Sequence, residues 1–202
     1  MAEYGQTARH VAPAELVATG KFTVPYAVNL TLSNTGGLFS NDLYKVKDTN
    51  GDVVFKVKAA FFSSRHLLLD AKGTPLLTMK PKSFIRRGTR RVFRGESTSP
   101  NDLLFSVRKS KMFQRKDNFD VVLATSTDEA APCDFKIIVG SKEYTIYIGE
   151  TDHEIIAQMN RKTECCARDR LEITVNQNVD FAFIVSLIVI LEEIKPSRRS
   201  AM

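Results

Sequence analysis

Apolar and polar residues alternate with a period of two along much of the chain. The alternation is clear in residues 53–58, 103–108 and 171–175, and it places successive side chains on opposite faces of a strand. Residues 144–148 add β-branched and aromatic side chains, which strands favour. The pattern therefore predicts strands for most of the chain.

Turn residues separate these runs at intervals of roughly eight to twelve positions. Asn50-Gly51 lies between two apolar runs, and such a pair is a strong short-range signal for a β-hairpin. Residues 70–75 divide two leucine-rich runs, and residues 140–142 divide two further strands. Short strands at regular spacing are typical of an all-β sandwich or barrel.

Residues 181–191 differ from the rest because ten of these eleven residues are apolar, and Ser186 is the exception. A membrane anchor needs about 20 apolar residues, which disfavours a tail anchor, and a central strand of this length is unusual. Asp180 at the N-cap position and Lys195-Pro196 as a stop signal favour a helix. Because a helix that is apolar on every face must be enclosed, we predict a sheet curled around it as a barrel.

Three polar residues of this predicted helix carry expectations of their own. We expect the Ser186 hydroxyl to bond back to the Ala182 carbonyl. Glu192 and Glu193 oppose the helix dipole at its C-terminus, so we expect both carboxylates to lie in water at the barrel mouth.

The domain organisation follows from composition, because no Pro/Gly-rich linker divides the chain. Residues 1–20 are polar and without periodicity, so a flexible arm is expected there, and no apolar run of a secretory signal is present. Residues 21–196 are expected to form one barrel domain, with its helix at about 180–195, and residues 197–202 a disordered tail.

Residues 151–159 have two interpretations. Thr151 and Glu154 have the spacing of a capping box before an apolar run, which predicts a short helix. The alternative is a turn at residues 150–153 followed by a strand.

The positive charge is concentrated in one part of the chain. Lys and Arg number 29 against 23 Asp and Glu, a net charge of +6, and residues 80–116 hold twelve basic and two acidic residues. The remaining chain is therefore slightly negative. Such a block predicts an anion-binding face, and the alternative is a set of solvated strand faces, since Lys and Arg are common on exposed strands.

The candidate binding residues are basic side chains that can meet a phosphate-bearing surface. Arg in particular offers phosphate a bidentate fork. Nucleic acid is the alternative anionic ligand, but Phe84 and Phe93 are the only aromatic residues within 80–94, and alternation turns some of them inward. The candidates are Lys80, Lys82, Arg86, Arg87, Arg90, Arg91, Lys109 and Lys111.

The chain lacks recognisable catalytic and metal-binding motifs. The three histidines do not have the spacing of metal ligands, and neither a Gly-rich phosphate loop nor a Gly-x-Ser-x-Gly elbow occurs. An odd number of cysteines without paired spacing favours a reducing compartment over a disulfide framework. We therefore predict a non-enzymatic protein without a catalytic site, metal or cofactor. The cysteines are Cys133, Cys165 and Cys166.

Several strings of the sequence resemble the plant LURP-one-related family, and their order and spacing match from about residue 24 to residue 194. That family is similar to the C-terminal domain of tubby proteins and to phospholipid scramblases. The resemblance implies a closed antiparallel barrel of about twelve strands around a hydrophobic C-terminal helix, and it favours the strand for residues 155–159. The matching strings are NGDVVFKV (50–57), LLDAKGTPL (68–76), VFRG (92–95), IIAQM (155–159) and NVDFAFI (178–184).

The resemblance also implies a function. It indicates a protein of plant stress or defence signalling. The basic block favours a module or adaptor that binds anionic phospholipid or phosphoinositide at a membrane surface, and the alternatives are nucleic-acid contact or a protein-interaction scaffold without lipid binding. The calcium-binding segment of scramblases is not recognisable, because Asp169, Glu172 and Asp180 are dispersed, and no binding residue of tubby domains is carried over. The expected location is the cytoplasm, peripheral at the plasma membrane and without a transmembrane span, with the nucleus as the alternative.

Overall fold

The alternating runs form strands in the computed structural model. It describes residues 20–35, 42–60, 64–82, 88–110, 118–125, 133–149, 154–163 and 170–194. A 3₁₀ turn spans Pro100–Asp102 and one α-helix, α1, spans Phe181–Ile194. The strands are β1 (Val28–Asn34), β2 (Asp42–Lys47), β3 (Val53–Ala59), β4 (His66–Asp70), β5 (Pro75–Pro81), β6 (Arg90–Arg94), β7 (Leu103–Lys109), β8 (Asn118–Leu123), β9 (Phe135–Val139), β10 (Glu143–Ile148), β11 (Ile155–Lys162) and β12 (Arg170–Val175).

The twelve strands pair with their neighbours in sequence and close into one antiparallel barrel. Closure joins the first strand to the last, with Val28 opposite Val175 and Ser33 opposite Arg170. Closing a sheet removes its unpaired edges, which would otherwise recruit other strands. The predicted closed barrel of about twelve strands with a C-terminal helix is confirmed.

The hairpin turns use the residues that the sequence pattern singles out. The Asp48 carboxylate accepts hydrogen bonds from the backbone N–H groups of Asn50 and Asp52, each at 2.9 Å. Gly51 has a φ of +88°, a conformation that residues with a Cβ rarely adopt. The equivalent turn between β4 and β5 repeats this arrangement, with Gly73 at a φ of +92°. The hairpin predicted at Asn50-Gly51 is therefore present.

Helix α1 lies inside the barrel, and every residue from Ala182 to Leu191 is buried. The Asp180 Oδ1 accepts hydrogen bonds from the backbone N–H groups of Ala182 at 2.8 Å and Phe183 at 3.3 Å, so it is the N-cap that the sequence predicts. Among the described residues, no helix is both long enough and apolar enough to cross a membrane.

The two ends of α1 are closed by different chemistry. At the N-terminal end, Phe22 from the segment before β1 packs against Phe55 and Phe181, with ring centroids 4.8 and 5.3 Å away. The Phe181 N–H donates to the Phe22 carbonyl at 3.0 Å, which fixes this aromatic plug to the start of the helix. The C-terminal end is polar and belongs to the site described below.

The structure differs from two local predictions, the hydrogen-bond partner of Ser186 and the helix at residues 151–159. The Ser186 hydroxyl donates to the Phe183 carbonyl at 2.6 Å and not to Ala182, because a serine in a helix can reach either the i−3 or the i−4 carbonyl. The capping-box helix at residues 151–159 is wrong, since Ile155 begins β11, which pairs with strands on both sides. The strand that the resemblance favours is confirmed.

Two predicted segments lie outside the described residues: residues 1–19 of the flexible arm, and the disordered tail at residues 197–202.

The rings around Phe183 provide a test of the enclosed helix. Phe183 packs edge-on against Phe105 and tilted against Phe135, with centroid distances of 5.0 and 5.2 Å. We expect Phe183→Ala to lower the free energy of unfolding by about 3–5 kcal/mol, measured by urea denaturation, because it leaves a cavity between these rings. Tyr26→Ala is the matched control, since Tyr26 is 63% exposed and its loss should change stability by less than about 0.5 kcal/mol. Similar losses for both variants would contradict the enclosed packing.

Candidate functional site

The candidate basic residues of β5 and β6 meet on the outer surface of the barrel. Leu77 and Met79 of β5 are buried in the core, so alternation turns Lys80 outward. Lys80 lies directly opposite Arg91, the outward-facing neighbour of the buried Val92. Both basic side chains are half-buried. The two strands thus place two cations side by side.

Two further candidates lie beside this pair at the end of the barrel where α1 terminates. The Lys82 N–H donates to the Thr89 carbonyl at 3.0 Å, which extends the β5–β6 pairing beyond Lys80. Lys109 ends β7 and is exposed, and its Cβ lies 3.9 Å from the point where a side chain on Gly88 would begin. Lys109 shares the direction of the buried Val107 and lies at the rim, beside the outward-facing Lys80, Lys82 and Arg91. We call these four residues the basic face.

The Lys80 ammonium has a defined position over an aromatic ring. Its Nζ lies 4.9 Å from the centroid of Phe93, whose ring is only 2% exposed. A cation over a ring is attracted by the ring quadrupole, with about 0.5–1 kcal/mol at an exposed site. Phe93 therefore supports the charge but offers no exposed surface on which a nucleic-acid base could stack. Phe84, the other aromatic residue of this stretch, lies outside the described residues.

The pairing of Lys80 with Arg91 differs from another like-charged pair on the barrel. Lys45 and Lys56 are also opposite one another, but Lys45 lies 3.8 Å from Asp42 and the Lys56 Nζ donates to the Ala71 carbonyl at 3.2 Å. Within the described part of the chain, no carboxylate lies within ion-pair distance of Lys80 or Arg91. Like charges directly opposite in a sheet destabilise it, so the pairing of Lys80 with Arg91 lowers the stability of the fold.

The structure separates Arg90 from its neighbours in the predicted set. Arg90 shares the inward direction of Val92, and its Nε lies 3.6 Å from the Glu193 Oε2 at the C-terminal end of α1. It is a counter-ion of the helix and not a member of the basic face. Of the remaining candidates, Arg86, Arg87 and Lys111 lie outside the described residues.

A polar network closes the barrel around the C-terminal end of α1. The Arg161 Nη2 of β11 donates to both carboxylate oxygens of Glu192 at 2.6 Å, and the Tyr144 hydroxyl of β10 donates to its Oε1 at 2.6 Å. On the other side, the Nδ1 of His66 contacts the Oε1 of Glu193. We call these residues, with Arg90 and Tyr44, the mouth network.

The expectation that both glutamates lie in water is wrong. They lie at the barrel mouth, but the side chains of Glu192 and Glu193 are each only 13% exposed. Carboxylates at a helix C-terminus face the negative end of the helix dipole, and partial burial adds a desolvation cost. Arg161 and Arg90 offset both effects by placing one guanidinium against each carboxylate.

The two tyrosines of the mouth network, Tyr44 and Tyr144, remain protonated. Burial and the neighbouring Glu192 and Glu193 carboxylates raise the pKa of Tyr44 to about 12, partly opposed by Arg161. Burial and the hydrogen bond to Glu192 raise the pKa of Tyr144 still further. Each tyrosinate would add a negative charge beside carboxylates, so the neutral phenol is the stable form.

The described residues contain no cluster of three or more His, Cys, Asp and Glu side chains that could hold a metal ion. Cys133 is buried, with its Sγ 3.9 Å from the Gly149 carbonyl oxygen. Cys165 and Cys166 lie outside the described ranges. The arrangement thus places basic side chains on the basic face and a structural ion network at the mouth.

Sequence reasoning missed Arg161, His66, Tyr44 and Tyr144 as members of the mouth network. One signal was available: two glutamates follow directly on the enclosed helix, so strand ends must supply their counter-charges. Which strand ends do so depends on how far each strand is shifted around the barrel, and no local pattern records that shift.

Comparison with known proteins gives consistent matches over nearly the whole chain. The sequence model of the family described as LURP-one-related matches residues 28–192. The protein LURP-one-related 15 of Arabidopsis thaliana is 36% identical over 195 residues, which cover 92% of this chain and 88% of that protein. LURP-one-related 10 of the same plant is 36% identical over 88% of this chain and 95% of its own length.

A solved structure has the same fold. A crystal structure of a protein from Arabidopsis thaliana superimposes with a TM-score of 0.68 and 33% identity, over 89% of this chain and 96% of that one.

The mouth network predicts strong coupling between Arg161 and Glu192. We expect Arg161→Met to lower the free energy of unfolding by about 2–3 kcal/mol, because it leaves a partly buried carboxylate without its cation. Adding Glu192→Gln should recover part of that loss, with a coupling energy of about 1–2 kcal/mol in a double-mutant cycle of urea denaturation. The exposed pair Lys162–Glu172 is the control, and Lys162→Met should cost less than about 1 kcal/mol. Additive effects of the two mouth substitutions would show that the pair is not coupled.

The raised pKa of Tyr44 predicts a loss of stability in alkali. Between pH 10.0, its ordinary pKa, and about 12, the unfolded chain loses the Tyr44 proton while the folded chain retains it. Unfolding then releases a proton, so the free energy of unfolding falls as pH rises. We expect the urea midpoint of Tyr44→Phe to fall less steeply with rising pH in this range than that of the parent protein. Tyr26→Phe, at an exposed site, should resemble the parent protein more closely. Equal slopes for Tyr44→Phe and the parent would refute the assignment.

Proposed function

The chain belongs to the LURP-one-related family, and we propose that it acts as a non-enzymatic module that binds anionic phospholipid head groups, including phosphoinositides, at a membrane surface. In this proposal the barrel serves as a peripheral adaptor in plant stress or defence signalling. It works at the cytoplasmic side of the plasma membrane and presents a further surface to a signalling protein.

The observation that carries the proposal is the pairing of Lys80 with Arg91 on the outer surface. Two half-buried cations face each other across neighbouring strands, and one is held over the ring of Phe93. A phosphate placed between them would relieve their mutual repulsion and receive charge-assisted hydrogen bonds from both. Arg91 can offer two parallel N–H donors, and Lys80 a single compact charge.

The size of the electrostatic effect sets the expected affinity. Each Lys or Arg near an anionic leaflet contributes about 1 kcal/mol, so the four residues of the basic face contribute about 4 kcal/mol. That free energy corresponds to an apparent dissociation constant of about 1 mM. The basic face alone therefore supports weak, reversible binding that salt weakens, since the Debye length falls to about 8 Å at physiological ionic strength.

Flotation with vesicles tests the proposal. We expect the parent protein to bind vesicles that contain about 30 mol% phosphatidylserine, or a few mol% of a phosphoinositide, and not vesicles of phosphatidylcholine alone. Lys80→Gln with Arg91→Gln should lower the partition coefficient about 30-fold, because two contributions of about 1 kcal/mol are lost.

The matched control removes the same charge from another like-charged pair. Lys45→Gln with Lys56→Gln also lowers the net charge by two, but the nearer residue, Lys56 on β3, lies two strands from β5, about 10 Å around the barrel. Its partition should change by no more than a few fold, because that distance exceeds a Debye length at physiological ionic strength. Equal losses for both pairs would indicate a nonspecific effect of net charge, and unchanged binding of the Lys80/Arg91 variant would refute the role of the basic face.

A further inference from the structure

One hydroxyl lies in the same cross-strand row as Lys80 and Arg91. Ser106 of β7 is directly opposite Arg91, which is directly opposite Lys80. Phe105 and Val107, the neighbours of Ser106 along the strand, are buried in the core, so alternation turns the Ser106 side chain outward. Three neighbouring strands therefore present an ammonium, a guanidinium and a hydroxyl side by side. We call Lys80, Arg91 and Ser106 the donor row.

The spacing of the donor row allows its members to meet at one ligand. Side chains directly opposite one another in an antiparallel pair have their Cβ atoms about 4.5–5.5 Å apart. Arg91 stands between the other two, and its guanidinium carries five N–H donors in a fixed fork. A phosphate resting on Arg91 therefore has the Ser106 hydroxyl on one side and the Lys80 ammonium on the other.

The donors of this row are not used inside the protein. Within the described part of the chain, none of the three side chains makes a hydrogen bond or an ion pair, and the contact of Lys80 is the ring of Phe93. Arg108, the next side chain of β7 on the same face as Ser106, differs because its Nε lies 3.7 Å from the Asp120 Oδ2. The donor row thus keeps two positive charges without a carboxylate.

A second serine between two basic residues shows the contrast. Ser33 of β1 is opposite Lys45 on one side and Arg170 on the other. These cations are already matched, because the Lys45 Nζ lies 3.8 Å from the Asp42 Oδ2 and Arg170 has a partner of its own. Ser33 is therefore the matched control for Ser106, a strand hydroxyl between cations that are not available to a ligand.

The charge and the donors of the row distinguish two kinds of phosphate. A phosphomonoester carries a charge of about −1.5 to −2 at pH 7 and three acceptor oxygens. A phosphodiester carries a single negative charge and has two unesterified oxygens. Two cations and one hydroxyl provide one donor group for each oxygen of the monoester and match its charge. A diester would leave one donor group and about one positive charge unmatched.

The row ends in an apolar side chain. Ser106 is opposite Val122 of β8, and the buried Val121 beside it shows that Val122 faces outward. A lipid carries glycerol and acyl chains next to its phosphate, and these can adjoin Val122. A soluble phosphate ester has no apolar part to place there, so this edge of the row favours a lipid.

We propose that the donor row binds one phosphomonoester group of a membrane lipid, with the Ser106 hydroxyl as a ligand-binding group. This inference rests on the proposed function and names the class of head group that its site selects. The phosphate lies against the Arg91 guanidinium, and the Lys80 ammonium and the Ser106 hydroxyl donate to its other oxygens. A hydrogen bond to a charged group is among the stronger kinds, so one serine has a measurable effect on selectivity.

Flotation with two vesicle types of similar surface charge tests the selectivity. Vesicles of phosphatidylcholine contain either about 15 mol% phosphatidic acid, a monoester, or about 30 mol% phosphatidylserine, a diester. We expect the parent protein to partition about tenfold more strongly onto the phosphatidic acid vesicles, the effect of one further hydrogen bond to a charged group.

Three serine variants separate the hydroxyl from other effects. Ser106→Ala leaves the net charge unchanged and should lose the roughly tenfold preference for phosphatidic acid, while its partition onto phosphatidylserine stays near that of the parent. Ser106→Thr retains a hydroxyl and should restore the preference, and Ser33→Ala should behave as the parent does. A urea midpoint of Ser106→Ala equal to that of the parent shows that the variant folds normally.

The outcomes distinguish the inference from the proposed function. Equal partition of the parent onto both vesicle types, or a preference that survives in Ser106→Ala, would overturn the inference and leave the proposed function standing. Failure of the parent to bind either type would refute the proposed function itself. About 1 mM glycerol 3-phosphate, compared at equal ionic strength, should leave flotation largely intact, and complete loss would assign the donor row to soluble phosphate esters and overturn its assignment to a lipid.

Discussion

The rest of the structure depends on burying a helix that is apolar on every face. Eight of its enclosed residues are large and apolar, and at about 2 kcal/mol each their burial contributes on the order of 16 kcal/mol. A typical domain has a net stability of only about 5–15 kcal/mol, so the barrel cannot exist without its helix. The strands need a core to close around, and the helix needs a closed sheet. Each solves the problem of the other.

This mutual dependence also makes the two ends of the barrel different. An α-helix has unsatisfied N–H groups at one end and unsatisfied carbonyls at the other. At the N-terminal end, Asp180 and the aromatic plug of Phe22 satisfy and cover the helix. At the other end the helix finishes in Glu192 and Glu193, which the strand ends match with guanidinium groups. The two ends of the barrel are therefore closed by different chemistry, by a cap and aromatic rings at one end and by ion pairs at the other.

The sequence predicts the parts of this fold that depend on local chemistry. Asn50-Gly51, the alternation in each strand and the apolar run after Asp180 are local signals, and each forms the element expected of it. Arg90 and Arg91 show the limit. They are chemically alike, yet one pairs with Glu193 inside the mouth and the other faces solvent beside Lys80. Alternation from Val92 predicts that the two side chains point in opposite directions. It does not predict that Glu193 lies on the inward side, within ion-pair distance of Arg90.

The pairing of Val28 with Val175 has a consequence for how the chain is made. The barrel cannot close until its twelfth strand has left the ribosome, and α1, which fills it, is synthesised later still. Until then, strands that share no core must persist with their apolar faces uncovered, and their long-range pairing is slow. A stop codon between residues 176 and 180 would therefore yield a chain with all twelve strands and no helix to fold around.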